Sequence, residues 1–192
     1  MKDPVAKFWT DREKAALVII DVQQRLTPSM DDKVYQQILQ NIVMLAKGAE
    51  TLKLPTLVTE QYPQGLGETV EELQAFTTET AVEKVSFGCC GEPQFLERLQ
   101  SLGRPQVIVV GMEAHVCVLQ TVLGLLQQNF QVHLVRDAIC ARNKLDYQNA
   151  LEIAAAAGAV VTTSETVLFQ LLRTSTAKEF KNISTLVKQR QA

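Results

Sequence analysis

Residues 106–126, "QVIVVGMEAHVCVLQTVLGLL", form a long run without lysine or arginine, yet a glutamate, a histidine and a cysteine sit in its middle. Its reading decides the fold. A membrane span of about 20 residues lacks buried ionisable groups and mid-span breaks. This run carries Gly111, Glu113 and His115 together at its centre. A β-branched strand, a tight turn and a helix from about Cys117 to Asn129 account for it better. No membrane association is expected.

Working outward, the same alternation repeats. "AALVIID" (15–21) is a short apolar run that fits a strand buried on both faces. In "DDKVYQQILQNIVMLAKGAETLK" (31–53), Val34, Ile38, Ile42, Leu45, Ala49 and Leu52 recur at spacings of three and four, which predicts one apolar helix face. "LPTLVTE" (54–60) reads as a second strand and "QYPQGLGE" (61–68) as a Gly- and Pro-punctuated loop. "TAVEKVSF" (80–87) holds a short third strand, and "EPQFLERLQSLG" (92–103) is a helix ending at Gly103. "QVIVVG" is the fourth strand and "QVHLVRD" (131–137) the fifth. "KLDYQNALEIAAAAG" (144–158) is a helix stopped by Gly158, and "AVVTT" (159–163) is a sixth strand. "SETVLFQLL" (164–172) starts a helix with Ser164 as its N-cap. "AKEFKNISTLVKQR" (177–190) gives a last helix, with Phe180, Ile183 and Val187 on one side.

Six strand–helix alternations predict an α/β fold, a six-stranded parallel sheet covered by helices on both faces. Residues 1–192 read as one domain, with a core at about 15–172 and a helical tail at 176–190. The chain is long enough to bury a sizeable core. With 46% hydrophobic and 21% charged residues it falls in the range of globular proteins. A formal net charge of -2 and a single short basic stretch, "LVKQR", exclude the clustered basic face that nucleic acid or an anionic membrane calls for. The charged start, "MKDPVAKFWTDREK", has no apolar h-region, and a cytoplasmic location is expected. The four cysteines show no CxxC pair and no zinc spacing, and there are only two histidines.

Sites in parallel α/β sheets lie at the carboxyl ends of the strands. Asp21 ends the first strand, Lys84 ends the third, and Cys117 begins the helix after the fourth. A thiol is a weak nucleophile until it ionises. A helix N-terminus and a nearby ammonium both favour the thiolate, so the Cys117 pKa is expected below the free value of about 8.5. A neighbouring carboxylate can take the thiol proton and hand it to a leaving group. Singly, each residue has a plainer reading. Asp21 can cap a turn, Lys84 can be an exposed loop lysine, and Cys117 can be an inert packed thiol. It is their joint placement that points to chemistry. His115, two residues from Cys117 across a tight turn, need not converge with it. His133 alternates within a strand and reads as core. "GCCG" (88–91) reads as a loop with free thiols, and "GLGE" (65–68) is too lean for a phosphate loop.

These residues carry a resemblance. "LVIIDVQ", "EKVSF", "VVGMEAHVCV" and "RDAICAR…GAVVTTSETVLFQLL", in this order, resemble the isochorismatase-like hydrolases, also called cysteine hydrolases. The "TEQYPQGLG" loop and "TTSETVLFQLL" tail are most similar to the isochorismatase-domain-containing subgroup. The resemblance spans about residues 15–172. It implies a Rossmann-like three-layer α/β/α sandwich with an Asp-Lys-Cys triad. Asp21 would be the base, Lys84 the group stabilising thiolate and intermediate, and Cys117 the nucleophile. It also implies a non-proline cis peptide at Met112–Glu113, with the N–H groups of Glu113 and Cys117 forming an oxyanion hole. Gln23 would line the pocket and Phe87 would wall it.

Nicotinamidases of that family hold a metal through an Asp-x-His pair and a further histidine after the second strand. Here that loop, "TEQYPQGLGE", has no histidine, so neither a metal nor another cofactor is expected. Isochorismatases proper, which cleave a vinyl ether, lack the cysteine. Cys117 therefore points to a thioester intermediate and a small-molecule substrate with an amide-like C–N bond. A homo-oligomer is expected from the resemblance and the apolar tail helix. Two other readings stay open: a non-catalytic interaction module that retains the fold, and a thiol redox protein using Cys89, Cys90 or Cys117.

Overall fold

The structure, a computed structural model, describes residues 5–77 and 81–190. In chain order the elements are β1 (Ala15–Ile20), α1 (Asp32–Leu52), β2 (Thr56–Gln61), α2 (Pro63–Leu66), α3 (Glu71–Gln74), β3 (Val82–Lys84), α4 (Pro93–Ser101) and β4 (Gln106–Met112). They continue with α5 (Leu119–Gln127), β5 (Gln131–Cys140), α6 (Lys144–Ala157), β6 (Val160–Thr162), α7 (Ser164–Leu172) and α8 (Phe180–Gln189). The six strands form one sheet in the order β3-β2-β1-β4-β5-β6, and every neighbouring pair is parallel. Thr80, placed with the third strand by sequence, lies outside the described residues.

Strand alternation sorts the core into two layers. Leu17 and Ile19 of β1, with Ile108 and Val110 of β4, face the side covered by α1, α7 and α8. Ala16, Val18 and Ile20, with Val107 and Val109, face α4, α5 and α6. The uniformly buried β1 and β4 are apolar apart from Gln106 at the start of β4, which is why their sequences do not alternate. Asp31 caps α1 by accepting a hydrogen bond from the Val34 N–H. Ile38, Ile42, Leu45, Ala49 and Leu52 are buried as their spacing predicts, whereas Val34, in the first turn, is exposed.

Four local expectations are corrected. The 61–68 loop contains the short helix α2, begun by Pro63. The helix predicted from Cys117 starts at Leu119, and Ala114–Val118 instead form a wide π-helical turn closed by the Val118 N–H on the Glu113 carbonyl at 3.2 Å. The fifth strand runs on to Cys140 through an irregularity. Val109 pairs with Leu134 but Gly111 with Ile139. Finally, Ser164 is not a cap but the first residue of α7; its N–H and Oγ both donate to Asp137 Oδ1, at 2.8 and 2.9 Å. The irregular stretch of β5 thus supplies an anion at the start of α7. The apolar side of α8 is used within the chain, since Ile183 and Val187 are buried in the α1 layer. No helix among the described residues is long and apolar enough to cross a membrane.

Candidate active site

The switch point of the sheet lies between β1 and β4, whose following connections leave towards opposite faces. Asp21 is the first residue past β1. Its φ of 51° places it in the left-handed region, where Asp is tolerated better than most residues. Beside it, Gly111 has φ 118°, and a Cβ there would lie 2.1 Å from the Ile20 carbonyl oxygen. Only glycine lets β4 approach β1 this closely at the floor of the site.

Asp21 and Lys84 are brought together. Lys84 Nζ is 2.7 Å from Asp21 Oδ2, and neither side chain reaches solvent. The ammonium also donates to Gln61 Oε1 at 2.7 Å, to the Phe87 carbonyl at 2.9 Å and to the Ser86 carbonyl at 3.2 Å. Burial works against its charge, but the opposing Asp21 carboxylate and the two thiols Cys89 and Cys117 carry the Lys84 pKa above its ordinary value. Asp21 Oδ1 accepts a hydrogen bond from Thr59 Oγ1 at 2.7 Å, and the Asp21 N–H donates to the Thr59 carbonyl at 3.2 Å.

Cys117 joins the same cluster. It lies in the π turn, is nearly inaccessible, and is close enough to Asp21 and Lys84 for both charges to act on it. The expected lowering of its pKa is overturned. Burial first, and then the Asp21 charge, push the thiol up to about 12, against the smaller opposing effect of Lys84. The thiol is therefore protonated at rest, and a nucleophile forms here only as its proton leaves.

The other expected site residues fall around this cluster. The Met112–Glu113 peptide is cis. The Met112 side chain is buried in the α1 layer. Glu113 Oε2 accepts from Arg142 Nε at 2.8 Å, and this hydrogen bond holds the Arg142 pKa above its ordinary value. Gln23 is fully buried. Its Nε2 donates to the carbonyls of Gln61 and Gly67 at 3.0 and 2.6 Å, and its Oε1 accepts from the Gln61 N–H at 2.8 Å. The amide is thereby committed to holding the 61–67 loop over the site. Phe87 contributes its carbonyl to Lys84, while its ring is half exposed. His115 pairs with Asp146 at 3.9 Å, and His133 is a buried strand residue. A cavity of about 630 Å³ opens next to Arg142, between the starts of α1 and α6. Among the described residues no group of three or more His, Cys, Asp or Glu could hold a metal ion.

Thr59, Gln61 and Thr121 were missed from sequence, and Cys89 was read only as a free or redox thiol. Thr59 and Gln61 carried a signal: they are two polar residues on the Leu57 face of β2, beside the apolar β1. The place of Cys89 and Thr121 carried none, because only tertiary packing brings the 3₁₀ turn Cys89–Gly91 against α5.

The isochorismatase domain model matches residues 15–166 of the sequence. The chain belongs to the isochorismatase family of hydrolases. Isochorismatase domain-containing protein 1 of Danio rerio is 37% identical over 169 residues, which cover 88% of this chain and 59% of the zebrafish protein. The chain thus spans 59% of the length of that relative. The structure of MAR1 ribonuclease from Caenorhabditis elegans is similar at 35% identity and a TM-score of 0.87, covering 94% of this chain and 92% of that one. The YcaC gene product of Escherichia coli, an octameric hydrolase of unknown specificity, shares the fold at 22% identity and a TM-score of 0.89, covering 99% and 95% of the two chains. This isochorismatase-family sheet therefore has the same six-stranded α/β architecture as solved members.

Proposed function

We propose that this chain is a cysteine-dependent hydrolase of a small-molecule amide-like C–N bond. The observation that carries the reading is the buried meeting of Asp21, Lys84 and Cys117 at the carboxyl ends of β1, β3 and β4. Asp21 takes the Cys117 proton as sulfur attacks the carbonyl carbon. The C–S bond forms, the C–N bond breaks, and Asp21 returns the proton to the leaving amine. Water then cleaves the thioester, releasing the acid and restoring the thiol. A thiol whose pKa is raised by burial in its resting site favours this coupling of attack to proton transfer. Lys84 stabilises the negative charge that passes between Asp21 and Cys117. The N–H groups of Glu113 and Cys117 receive the oxyanion. Gln23 and Phe87 shape the pocket edge, Gln23 through the 61–67 loop and Phe87 as a wall. Met112 acts through its backbone alone.

Activity on a panel of amides, ureides and esters tests the reading, with Cys117→Ala as the blank. Turnover that survives Cys117→Ala overturns it, and chelation is expected to leave turnover unchanged. RNA belongs in the same panel because the C. elegans neighbour is a ribonuclease. The net charge of -2 and the absence of a basic run near the site favour the small-molecule substrate. We place the chain in a homo-oligomer, as the octameric neighbour suggests, and read it as cytoplasmic.

A further inference from the structure

Behind the site a buried chain of hydrogen bonds runs from the carboxylate to the backbone of the nucleophile. Thr59 Oγ1 donates to Asp21 Oδ1 at 2.7 Å, and Cys89 Sγ donates to Thr59 Oγ1 at 3.8 Å. The Cys89 N–H donates to Thr121 Oγ1 at 2.9 Å, and Thr121 Oγ1 donates to the Cys117 carbonyl at 2.7 Å. Thr59, Cys89 and Thr121 are all fully buried. None of them has a part in the proposed chemistry, yet a fully buried thiol at this spot links both halves of the site.

The chain has a direction. A hydroxyl has one proton to give. Thr59 receives from Cys89, so its own proton goes to Asp21, and Oδ1 can only be an acceptor. The reverse order would use the Cys89 sulfur, a weak acceptor, and leave the carboxylate without the Thr59 donor. A hydroxyl donates more strongly to a carboxylate than to a thiol, so the order seen is the favoured one.

We propose that Thr59, backed by Cys89, is a positioning residue that holds Asp21 through Oδ1, as Lys84 holds it through Oδ2, and so orients the carboxylate that exchanges the proton with Cys117. The inference rests on Asp21 acting as the base. The titratable groups that face Asp21 are Lys84 from β3, Cys117 from the π turn and Cys89 from the 3₁₀ turn before α4. Thr59 is the neutral member of the ring, so its removal changes a hydrogen bond without changing a charge. Losing a donor to a carboxylate favours the protonated form. A base that is more readily protonated accepts the thiol proton less well as the pH falls.

The test needs no substrate. The rate of Cys117 alkylation by iodoacetamide is followed by peptide mass on the full chain from about pH 3, below the ordinary carboxylate range, to about pH 9. Thr59→Val is expected to move the acid limb up by about one pH unit, and Thr59→Ser to restore it. If Thr59→Val lowers only thermal stability and its limb overlies the wild type, the role is merely structural and the inference falls. Should Thr59→Val not fold, Thr59→Cys carries the same test. As a weaker donor it is expected to shift the limb the same way by less, and an unshifted limb overturns the inference. Asp21→Asn separates the two levels. If it leaves the Cys117 rate and limb untouched, the base reading itself is wrong. If it removes the limb while Thr59→Val does not move it, only the positioning role is lost.

Discussion

Lys84 Nζ lies 2.7 Å from Asp21 Oδ2, with both side chains out of solvent. Such a pair is costly to bury, and its value shows when one member is removed, because the other charge is then stranded. Lys84→Met is expected to lower the unfolding free energy by about 3–5 kcal/mol, read from urea denaturation. Asp21→Asn in the same chain should recover part of that loss. A change below about 1 kcal/mol, the size of a solvent-screened surface pair, would mean that the pair is not buried as described.

Gly111 pairs with Ile20 where β4 lies beside β1. A Cβ added there would meet the Ile20 oxygen at 2.1 Å and the Ile20 nitrogen at 2.7 Å, on a backbone with φ 118°. Both contacts are to main chain, so no side chain can move aside. Gly111→Ala is therefore expected to destabilise by more than about 3 kcal/mol or to prevent folding. Melting temperature and soluble yield measure it, and a loss below about 1 kcal/mol would show that the strands can part without penalty.

The two central strands were legible because they are buried on both faces and hence apolar but for Gln106. The end of β1 was legible for the same reason, since Asp21 stands out where the apolar run stops, whereas Lys84 closes the short, mixed β3. What the sequence hid depends on contacts distant along the chain. The irregular stretch of β5 is held by Asp137, whose carboxylate serves Ser164, 27 positions later. The Cys117 pKa was misjudged because a local argument counted a helix end and an ammonium but not the loss of water around a nearly inaccessible sulfur. The amphipathic α8 suggested a partner until α1 was seen to cover its apolar side.

Self-association is expected through another surface. Tyr62, Val85 and Phe87 follow β2 and β3 and stand exposed, Val85 at 78%. All three belong to the segments that hold Lys84, since the Tyr62 N–H donates to its carbonyl and the Phe87 carbonyl accepts from its ammonium. Light scattering at micromolar concentration is expected to give a mass above the 21.3 kDa of one chain. A complex that survives this dilution needs only about -8 kcal/mol. Val85→Asp should weaken it by placing a charge in the contact. A single 21.3 kDa species for the wild type would rule the interface out.

Acid sensitivity should come from a histidine that takes no part in the chemistry. His133 is buried in β5, and its Nε2 lies 3.3 Å from Gln131 Nε2. That amide also donates to the Lys7 carbonyl, while its Oε1 accepts from Gln106 Nε2. Its nitrogen is thus a donor facing the ring, and Nε2 of His133 must accept. Protonation would set two donors against each other inside the sheet. Burial accordingly pushes the His133 pKa down to about 4. The unfolded chain takes up this proton near the ordinary value of about 6.5, and the folded chain refuses it until about pH 4. Stability is therefore full above pH 6.5 and falls as the pH is lowered through this window, by up to about 3 kcal/mol. Carboxylates held low by hydrogen bonds, such as Glu92 with Ser86, begin to lose their contribution only near the ordinary carboxylate value of about 4.3. Over the interval from about pH 5 to pH 6.5 the difference between wild type and His133→Gln isolates His133, since the His115–Asp146 contact is common to both. Urea midpoints across it should decline more steeply with falling pH in the wild type than in His133→Gln. Equal slopes in the two proteins would show that His133 accepts its proton while folded.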